Sequence, residues 1–388
     1  MSAVCRLVGG GWGGDIAGTP DWTVRSMGDL DPRDPFADIR HACASGATHV
    51  GYVSYSVRTL LEPSGSALAR DGAPATDDRG APALAMARLD EAHDTAPGGA
   101  YAVGGFTSAT GRDAYERQVA RCVGLIHAGD CFQANLAHRL SAPFEGHARG
   151  LADALFGRTR PDFGALLELP TRTIVSVSPE LFVSYDARTR RVVTEPIKGT
   201  RPAELPASEL AGAEKDTAEL AMITDLMRND LGRVAAPGSV RVEHERALRA
   251  HAGALGVRHA SSTVSCTLAP GLDAADLLTH TFPPGSVTGA PKVRAMQIID
   301  ALEPVMRHAY CGCIFLSCPD GSVTASVAIR TLTIDHERGV IDLPVGAGIV
   351  ADSDPPSEWE ETLTKSRAII DAIRDGATLT PETGVPRA

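Results

Sequence analysis

Apolar and polar positions repeat along this chain with two periods, and each period marks a kind of element. Residues 48–55, Thr-His-Val-Gly-Tyr-Val-Ser-Tyr, read as a strand. From Asp113, the residues Tyr115, Val119, Cys122 or Val123, and Ile126 recur at spacings of three and four, which predicts a helix stopped by Gly129. Residues 131–140 alternate again, with Phe132, Ala134, Leu136 and Leu140 on one face and Gln133, Asn135 and Arg139 on the other. Such a polar row faces either solvent or a polar cavity. Residues 173–177 read as a strand leading into Ser178-Pro179-Glu180, and residues 191–194 as another. Pro196 lacks an N–H and is expected to end regular pairing, leaving Lys198 just past a strand end, between Ile197 and Gly199.

Helical spacing returns over residues 214–228, whose buried side is expected to carry Ala218, Met222 and Leu226. Asp216 and Glu219 lie three apart and point the same way. Residues 280–292 form a Gly/Pro-rich turn ahead of a helix over 293–302. Pro319-Asp320-Gly321 is expected to turn a hairpin between strands 308–318 and 323–334, with Arg330 inside the second among Ala328, Ile329 and Leu332. Residues 345–350 read as a strand whose glycines, Gly346 and Gly348, let a ligand approach the backbone. A last helix from about Ser357 carries Glu358 and Glu361, with Lys365 one turn beyond. There is no internal repeat.

Composition narrows the function. A chain of 388 residues, 43% hydrophobic and 22% charged, is long enough for one large unit or two ordinary ones. Its net charge of −11 argues against nucleic-acid or anionic-membrane partners. No apolar run approaches the roughly 20 residues of a membrane span. The start, Met-Ser-Ala-Val-Cys-Arg-Leu, lacks the apolar core of a signal peptide. Eight scattered cysteines fit reduced thiols and a cytoplasmic location. Cys311, Cys313 and Cys318 have no second Cys or His pair to complete a metal site and read as packed thiols. Gly9, Gly11 and Gly14 satisfy GxGxxG, but Trp12 interrupts it and no helical pattern follows, so a loop is expected. Residues 63–82 read as a flexible surface excursion.

Candidate chemistry concentrates in the second half. A lysine held beside a strand meets a ligand as a compact cation or, when desolvated, as a nucleophilic amine; a solvated loop lysine is the alternative for Lys198. Glu180, just past a strand, suits acid–base work. Two acidic helix pairs, Asp216 with Glu219 and Glu358 with Glu361, can jointly hold a hard ion such as Mg²⁺. Thr288 and Gly289 precede a helix and can present N–H groups to an anion. The turn lacks GxxxxGK[ST], which excludes a nucleotide P-loop. Arg330, among apolar residues, needs an anionic partner.

These residues fall in ordered blocks that resemble the chorismate-utilising enzymes, a family that includes component I of aminodeoxychorismate synthase and of anthranilate synthase, and the isochorismate and salicylate synthases. The blocks are residues 129–136 (Gly-Asp-Cys-Phe-Gln-Ala-Asn-Leu), Ser178-Pro179-Glu180, residues 196–201 (Pro-Ile-Lys-Gly-Thr-Arg), residues 228–232 (Arg-Asn-Asp-Leu-Gly), residues 284–292 (Pro-Gly-Ser-Val-Thr-Gly-Ala-Pro-Lys), residues 328–331 (Ala-Ile-Arg-Thr) and residues 346–350 (Gly-Ala-Gly-Ile-Val). The resemblance implies an α+β fold, an α/β sandwich of two large antiparallel sheets flanked by helices around a deep site. It implies residues 1–104 as a weakly matched N-terminal part, 105–375 as the chorismate-binding region and 376–388 as a tail, all in one compact unit.

The resemblance also implies Mg²⁺, with Glu219 and Glu361 as ligands and Asp216 and Glu358 alongside. Thr288 and Gly289 would seat the ring carboxylate; Tyr310, Arg330, Gly346, Gly348 and Lys365 would hold the substrate's carboxylates; Glu180 would be the general acid. His259 matches a family histidine near the ring, or is structural. Isochorismate and salicylate synthases carry a lysine base where this chain has Gln133. Anthranilate synthases usually have alanine where this chain has Lys198, whereas aminodeoxychorismate synthase has the lysine, proposed to attack C2 of chorismate. The expected activity is therefore amination of chorismate, with ammonia from a separate glutamine amidotransferase subunit. The alternatives are anthranilate synthase component I and a catalytically silent chorismate-binding regulatory subunit. Two positions depart from the family pattern: Arg201-Pro202-Ala203-Glu204 replaces Arg-Pro-Arg-Gly, and Leu220 follows Glu219 where Asn or His is usual.

Overall fold

Ile174-Val175-Ser176-Val177 and Ile314-Phe315-Leu316 bury every side chain, so each run must lie in a sheet covered on both faces. The computed structural model describes residues 3–66, 80–89, 98–202, 214–250 and 257–377. Among these residues there are two ten-stranded sheets. Sheet 1 runs Gly289–Ala290, Gln133–Gly146, Val340–Ile349, Thr331–Asp335, Arg172–Ser178, Phe163–Glu168, Cys5–Val8, Ile16–Gly18; Tyr101–Val103 and Thr107–Ser108 also pair with Gln133–Gly146. Sheet 2 runs Ile197–Pro202, Val257–Thr267, Arg191–Glu195, Leu181–Asp186, Val323–Val327, Cys313–Ser317, His49–Val53, Leu84–Leu89, Pro20–Arg25, and Arg241–Ala250 also pairs with Val257–Thr267. The central pairs are antiparallel in both.

The strands alternate their side chains between two cores. Cys5, Leu7, Phe163, Leu167 and Ile174 of sheet 1 meet Val50, Tyr52, Ile314 and Leu316 of sheet 2 in the layer between the sheets. Val175, Val177, Leu332 and Ile334 point the other way, onto Leu151, Leu155, Ile369 and Ile373 of the helices Ala148–Thr159 and Pro355–Gly376. Phe182, Val192, Val264 and Phe315 of sheet 2 pack in a further cluster that takes in residues of the helices Arg112–His127, Ala274–Thr281 and Lys292–Leu302. Each fully buried aliphatic or phenyl side chain contributes roughly 1.5–3 kcal/mol.

The helix Arg112–His127 buries Tyr115, Val119, Cys122 and Ile126, and Gly129 follows at φ 86°. The strand after it starts at Gln133; Phe132 stays outside and is 69% exposed. Gln133, Asn135 and Arg139 are buried, so the polar row faces inward rather than to water. The helix Glu214–Gly232 buries Leu220, Ile223 and Met227, whereas Ala218 is exposed and Met222 and Leu226 are half-buried. Its buried stripe therefore lies to one side of the line expected.

Three strand boundaries also differ. Pro196 does not end pairing: its carbonyl accepts from Ser262 N (3.1 Å), and Ile197–Pro202 pairs onward with Val257–Thr267. Residues 308–312 are a loop, and the strand begins at Cys313. The expected strand 323–334 is two strands: Val323–Val327 in sheet 2 and Thr331–Asp335 in sheet 1, with Arg330 between them at φ 51°. Pro63–Ser66 is a 3₁₀ turn, and most of the expected excursion beyond it lies outside the described residues, as does the expected tail from residue 378. All eight cysteines are free. Among the described residues no helix is long and apolar enough to cross a membrane.

Candidate active site

The chain changes sheets twice at one place. Arg172–Ser178 in sheet 1 passes through Pro179 and Glu180 to Leu181–Asp186 in sheet 2; Val323–Val327 in sheet 2 passes through Ala328, Ile329 and Arg330 to Thr331–Asp335 in sheet 1. The crossings are stitched together, Val177 N donating to Arg330 O and Val327 N to Glu180 O, each at 3.0 Å. A side chain at such a crossing belongs to neither sheet face and projects where the sheets separate. Both crossings put a charged residue there.

Glu180 is 4% exposed, and burial raises its carboxyl to about 7, against opposing pulls from the Ser286 hydroxyl, the Lys198 ammonium, the Ile197 N–H and the Arg330 guanidinium. Lys198 is half-buried, and desolvation lowers its pKa, while Glu219, Glu180 and Glu361 pull it up and Lys365 pushes it down further. Those influences bring groups from three other segments around one amine. The Lys198 Nζ donates to Ser286 O at 3.4 Å. Its strand position is set by a bulge: Lys198 pairs with Ala260 but Thr200 with His259, and Gly199 between them takes φ 74°, which glycine adopts without strain.

Gly348 stands beside this amine. A Cβ there would lie 2.3 Å from Gln133 Nε2 and 3.7 Å from Lys198 Nζ, so the missing side chain makes the space the two share. Gln133 is 1% exposed, and among the described residues its Oε1 has no hydrogen-bond partner. At Gly346 a Cβ would come within 3.1 Å of the Tyr310 hydroxyl. Tyr310 is buried, and burial lifts its pKa well above the usual range. Lys365 Nζ donates to Gly346 O at 3.2 Å and pairs with Glu361 Oε1 at 2.6 Å. Arg330 is half-buried; desolvation lowers its pKa and Glu180 raises it.

Thr288 is fully buried, its hydroxyl donating to Pro284 O (2.8 Å) and its N–H to Gly285 O (3.2 Å), so both donors are engaged within the turn. Gly289, at φ 137°, pairs with Ala134, where a Cβ would sit 2.2 Å from Gln133 O. His259 is 1% exposed on Val257–Thr267, opposite Thr200. Ser286, to which the sequence assigns no role, accepts from Lys198 Nζ through its carbonyl.

Of the acidic helix pairs, Glu219 and Glu361 both act electrostatically on the Lys198 amine. Glu358 is buried and its Oε1 accepts from Ser353 Oγ at 2.6 Å; Asp216 is half-buried one turn before Glu219. Among the described residues no three His, Cys, Asp or Glu side chains lie close enough to hold a metal together. The surface hollow lined by Arg228, Asn229, Gly232, Arg233 and Val240 contains none of the converging groups.

Comparison with known proteins gives the same family twice over. Residues 68–371 match the chorismate binding enzyme family. The chain is 42% identical over 266 residues to aminodeoxychorismate synthase component 1 of Klebsiella aerogenes, covering 67% of this chain and 57% of the relative. It is also 42% identical over 278 residues to anthranilate synthase component 1 of Streptomyces coelicolor, covering 70% and 53%. The match thus spans a little over half the length of these curated relatives. In fold, the crystal structure of anthranilate synthase component I from Streptococcus pneumoniae superposes with a TM-score of 0.76 at 24% identity, over 95% of this chain and 92% of that one. The menaquinone-specific isochorismate synthase of Escherichia coli gives 0.70 at 16% identity, over 96% and 89%. With most of its length matched and two large antiparallel sheets of the same arrangement, the chain belongs to the chorismate binding enzyme family.

Proposed function

We propose that this chain is component I of an aminodeoxychorismate synthase, converting chorismate and ammonia to 4-amino-4-deoxychorismate and water. The observation that carries the reading is the enclosed pair of Lys198, with a lowered pKa, and Glu180, a carboxyl near neutrality. The neutral Lys198 amine attacks C2 of the ring; both ring double bonds shift and the C4–O bond breaks, the departing hydroxyl taking the Glu180 proton to leave as water. Ammonia then bonds to C4, both double bonds shift back, and the C2–N bond breaks to release the lysine. The proton lost by the incoming ammonia restores Glu180. Arg330 and Lys365 offer cations to the substrate's carboxylates, and the backbone at Gly346 and Gly348 leaves room for the ring.

Mg²⁺ suits the donor set. Glu219 and Glu361 are hard oxygen donors within electrostatic reach of the same amine, and Mg²⁺ is held by one or two carboxylates, with waters and substrate oxygens completing its shell. Asp216 and Glu358 would lie alongside, directly or through water. When bound, the ion supplies positive charge for a substrate carboxylate. Ammonia comes from a separate glutamine amidotransferase subunit, a reading supported by the component 1 names of the relatives.

A second reading, anthranilate synthase component I, is favoured by the equal 42% identity to the Streptomyces coelicolor protein. Incubating the purified chain with chorismate and ammonium, with and without Mg²⁺, and identifying the product separates the two. The expected product is 4-amino-4-deoxychorismate, formed only with Mg²⁺; anthranilate as the direct product overturns the assignment. Lys198→Ala is expected to lower kcat and kcat/KM together, because the amine acts on the transition state.

A further inference from the structure

Asn135 carries a donor that the fold leaves unused. It is 7% exposed, and among the described residues its Nδ2 has no hydrogen-bond partner. Its backbone is engaged on one side: the N–H donates to Thr288 O at 2.9 Å and the carbonyl accepts from Arg307 Nη2 at 2.5 Å. Both groups therefore point away from the strand Val340–Ile349, where Asn135 stands opposite Gly348. Opposed residues with no hydrogen bonds between them bring their side chains closest across a ladder. Here one of the two side chains is missing. The neighbours fix the face. Gly346 and Ala137 form the next such pair, and a Cβ at Gly346 would lie 3.1 Å from both Ala137 Cβ and the Tyr310 hydroxyl. On the other side Gln133 reaches over Gly348, where a Cβ would meet its Nε2 at 2.3 Å and Lys198 Nζ at 3.7 Å. Side chains two apart on a strand share a face, so Asn135 projects between Gln133 and Ala137 on the side of the Lys198 amine. The two amides do not satisfy each other, since Gln133 Oε1 is also without a partner among the described residues.

We propose that Asn135 is a substrate-binding residue: its carboxamide N–H donates to an oxygen of chorismate beside the carbon that Lys198 attacks. The proposal rests on the substrate and the nucleophile assigned above. A buried donor without an acceptor is costly to a fold, and it is kept where a ligand supplies the acceptor. The substrate has acceptors in the right place. C2 lies between C1, which carries the ring carboxylate, and C3, which carries the enolpyruvyl ether, so an oxygen flanks the attacked carbon on either side. Gly346 and Gly348 leave the ring free to slide along the strand, and a hydrogen bond from Asn135 stops it with C2 facing the amine.

Asn135→Leu replaces the carboxamide with an apolar group of nearly the same shape. Titrated with chorismate in Mg²⁺ buffer without ammonium, the variant should show a Kd on the order of tenfold higher, the worth of one hydrogen bond. With ammonium present, kcat/KM should fall by a similar factor. Its Tm should hold or rise, because an unpaired buried polar group has been removed. Weaker binding at equal or higher stability is the signature of a donor kept for a ligand; a structural asparagine would lose Tm and leave Kd in place. Asn135→Ala removes the carboxamide without filling its space and should weaken chorismate to a similar extent. A loss seen with Leu and not with Ala would trace to bulk and overturn the proposal. So would an unchanged Kd in both variants beside a parent that binds chorismate. A parent that binds no chorismate at all overturns the functional reading and this proposal together.

Discussion

At Glu180 and Lys198 burial opposes both charges, and the two pKa values are drawn toward each other. A carboxyl near 7 still holds a proton at neutral pH, and a lowered lysine has a larger neutral fraction to attack with. The rate is expected to rise with pH as Lys198 deprotonates and to fall above about 7 as Glu180 loses its proton. Glu180→Gln should lower kcat by about 10²–10⁴-fold and abolish that falling limb. Stability runs the other way. With its pKa raised from 4.5 to about 7, the folded carboxyl keeps its proton where the unfolded chain has lost it. Its contribution to stability is complete below 4.5 and is lost as pH rises through 7. Glu180→Gln removes the loss, so relative to the parent the variant should gain up to about 3 kcal/mol between pH 4 and pH 8. Thermal melts across that range test this, and a difference independent of pH would contradict a buried acid.

Among the elements, what the sequence made legible was local and what it hid was the crossing of sheets. Arg112–His127 was visible because Tyr115, Val119, Cys122 and Ile126 all bury on one side. Glu214–Gly232 misled because Met222 and Leu226 are only half-covered, so apolar spacing did not single out the most buried stripe. The polar row Gln133, Asn135 and Arg139 carried no mark of which side was water. Arg330 looked like a mid-strand residue because Ala328 and Ile329 continue the apolar run, and nothing local encodes a left-handed arginine between two sheets. Residues 180, 198, 286 and 330 meet through pairings across the chain, which periodicity cannot express; the recurrence of whole motifs could suggest them, and only the fold brings them within reach. One local device was legible in part. Gly199 follows Lys198 directly in the sequence, and the structure uses it as the bulge that sets the aim of Lys198. Gly199→Val forces a branched side chain to φ 74° at a cost of roughly 1–3 kcal/mol. It should reduce kcat more than chorismate binding, measured by steady-state kinetics beside equilibrium titration; equal losses in both would point to general unfolding instead.

Across the molecule, the two sheets must hold a fixed separation where they part, and apolar packing alone sets no such register. A buried ion pair does. Glu303 and Arg307, each 6% exposed, bond through Oε1 and Nη2 at 2.6 Å and Oε2 and Nε at 2.9 Å. Glu303 Oε1 also takes Ala137 N at 2.8 Å from sheet 1, while Arg307 donates to Asn135 O at 2.5 Å and Val287 O at 3.0 Å. Arg307 further lies 4.6 Å over the ring of Tyr55, just beyond the sheet 2 strand His49–Val53. One pair thus ties the strand Gln133–Gly146 of sheet 1, the turn bearing Ser286, and the exit of a sheet 2 strand. Arg307→Met strands a buried carboxylate and two carbonyls, and is expected to cost about 3–5 kcal/mol in urea unfolding. Adding Glu303→Leu removes the stranded charge and should recover part of that loss, since the two sites share one network. Activity should not recover with stability, because the turn beside Glu180 and Lys198 stays unanchored in the double variant. A double variant that regains both would show that the pair holds the fold without holding the site.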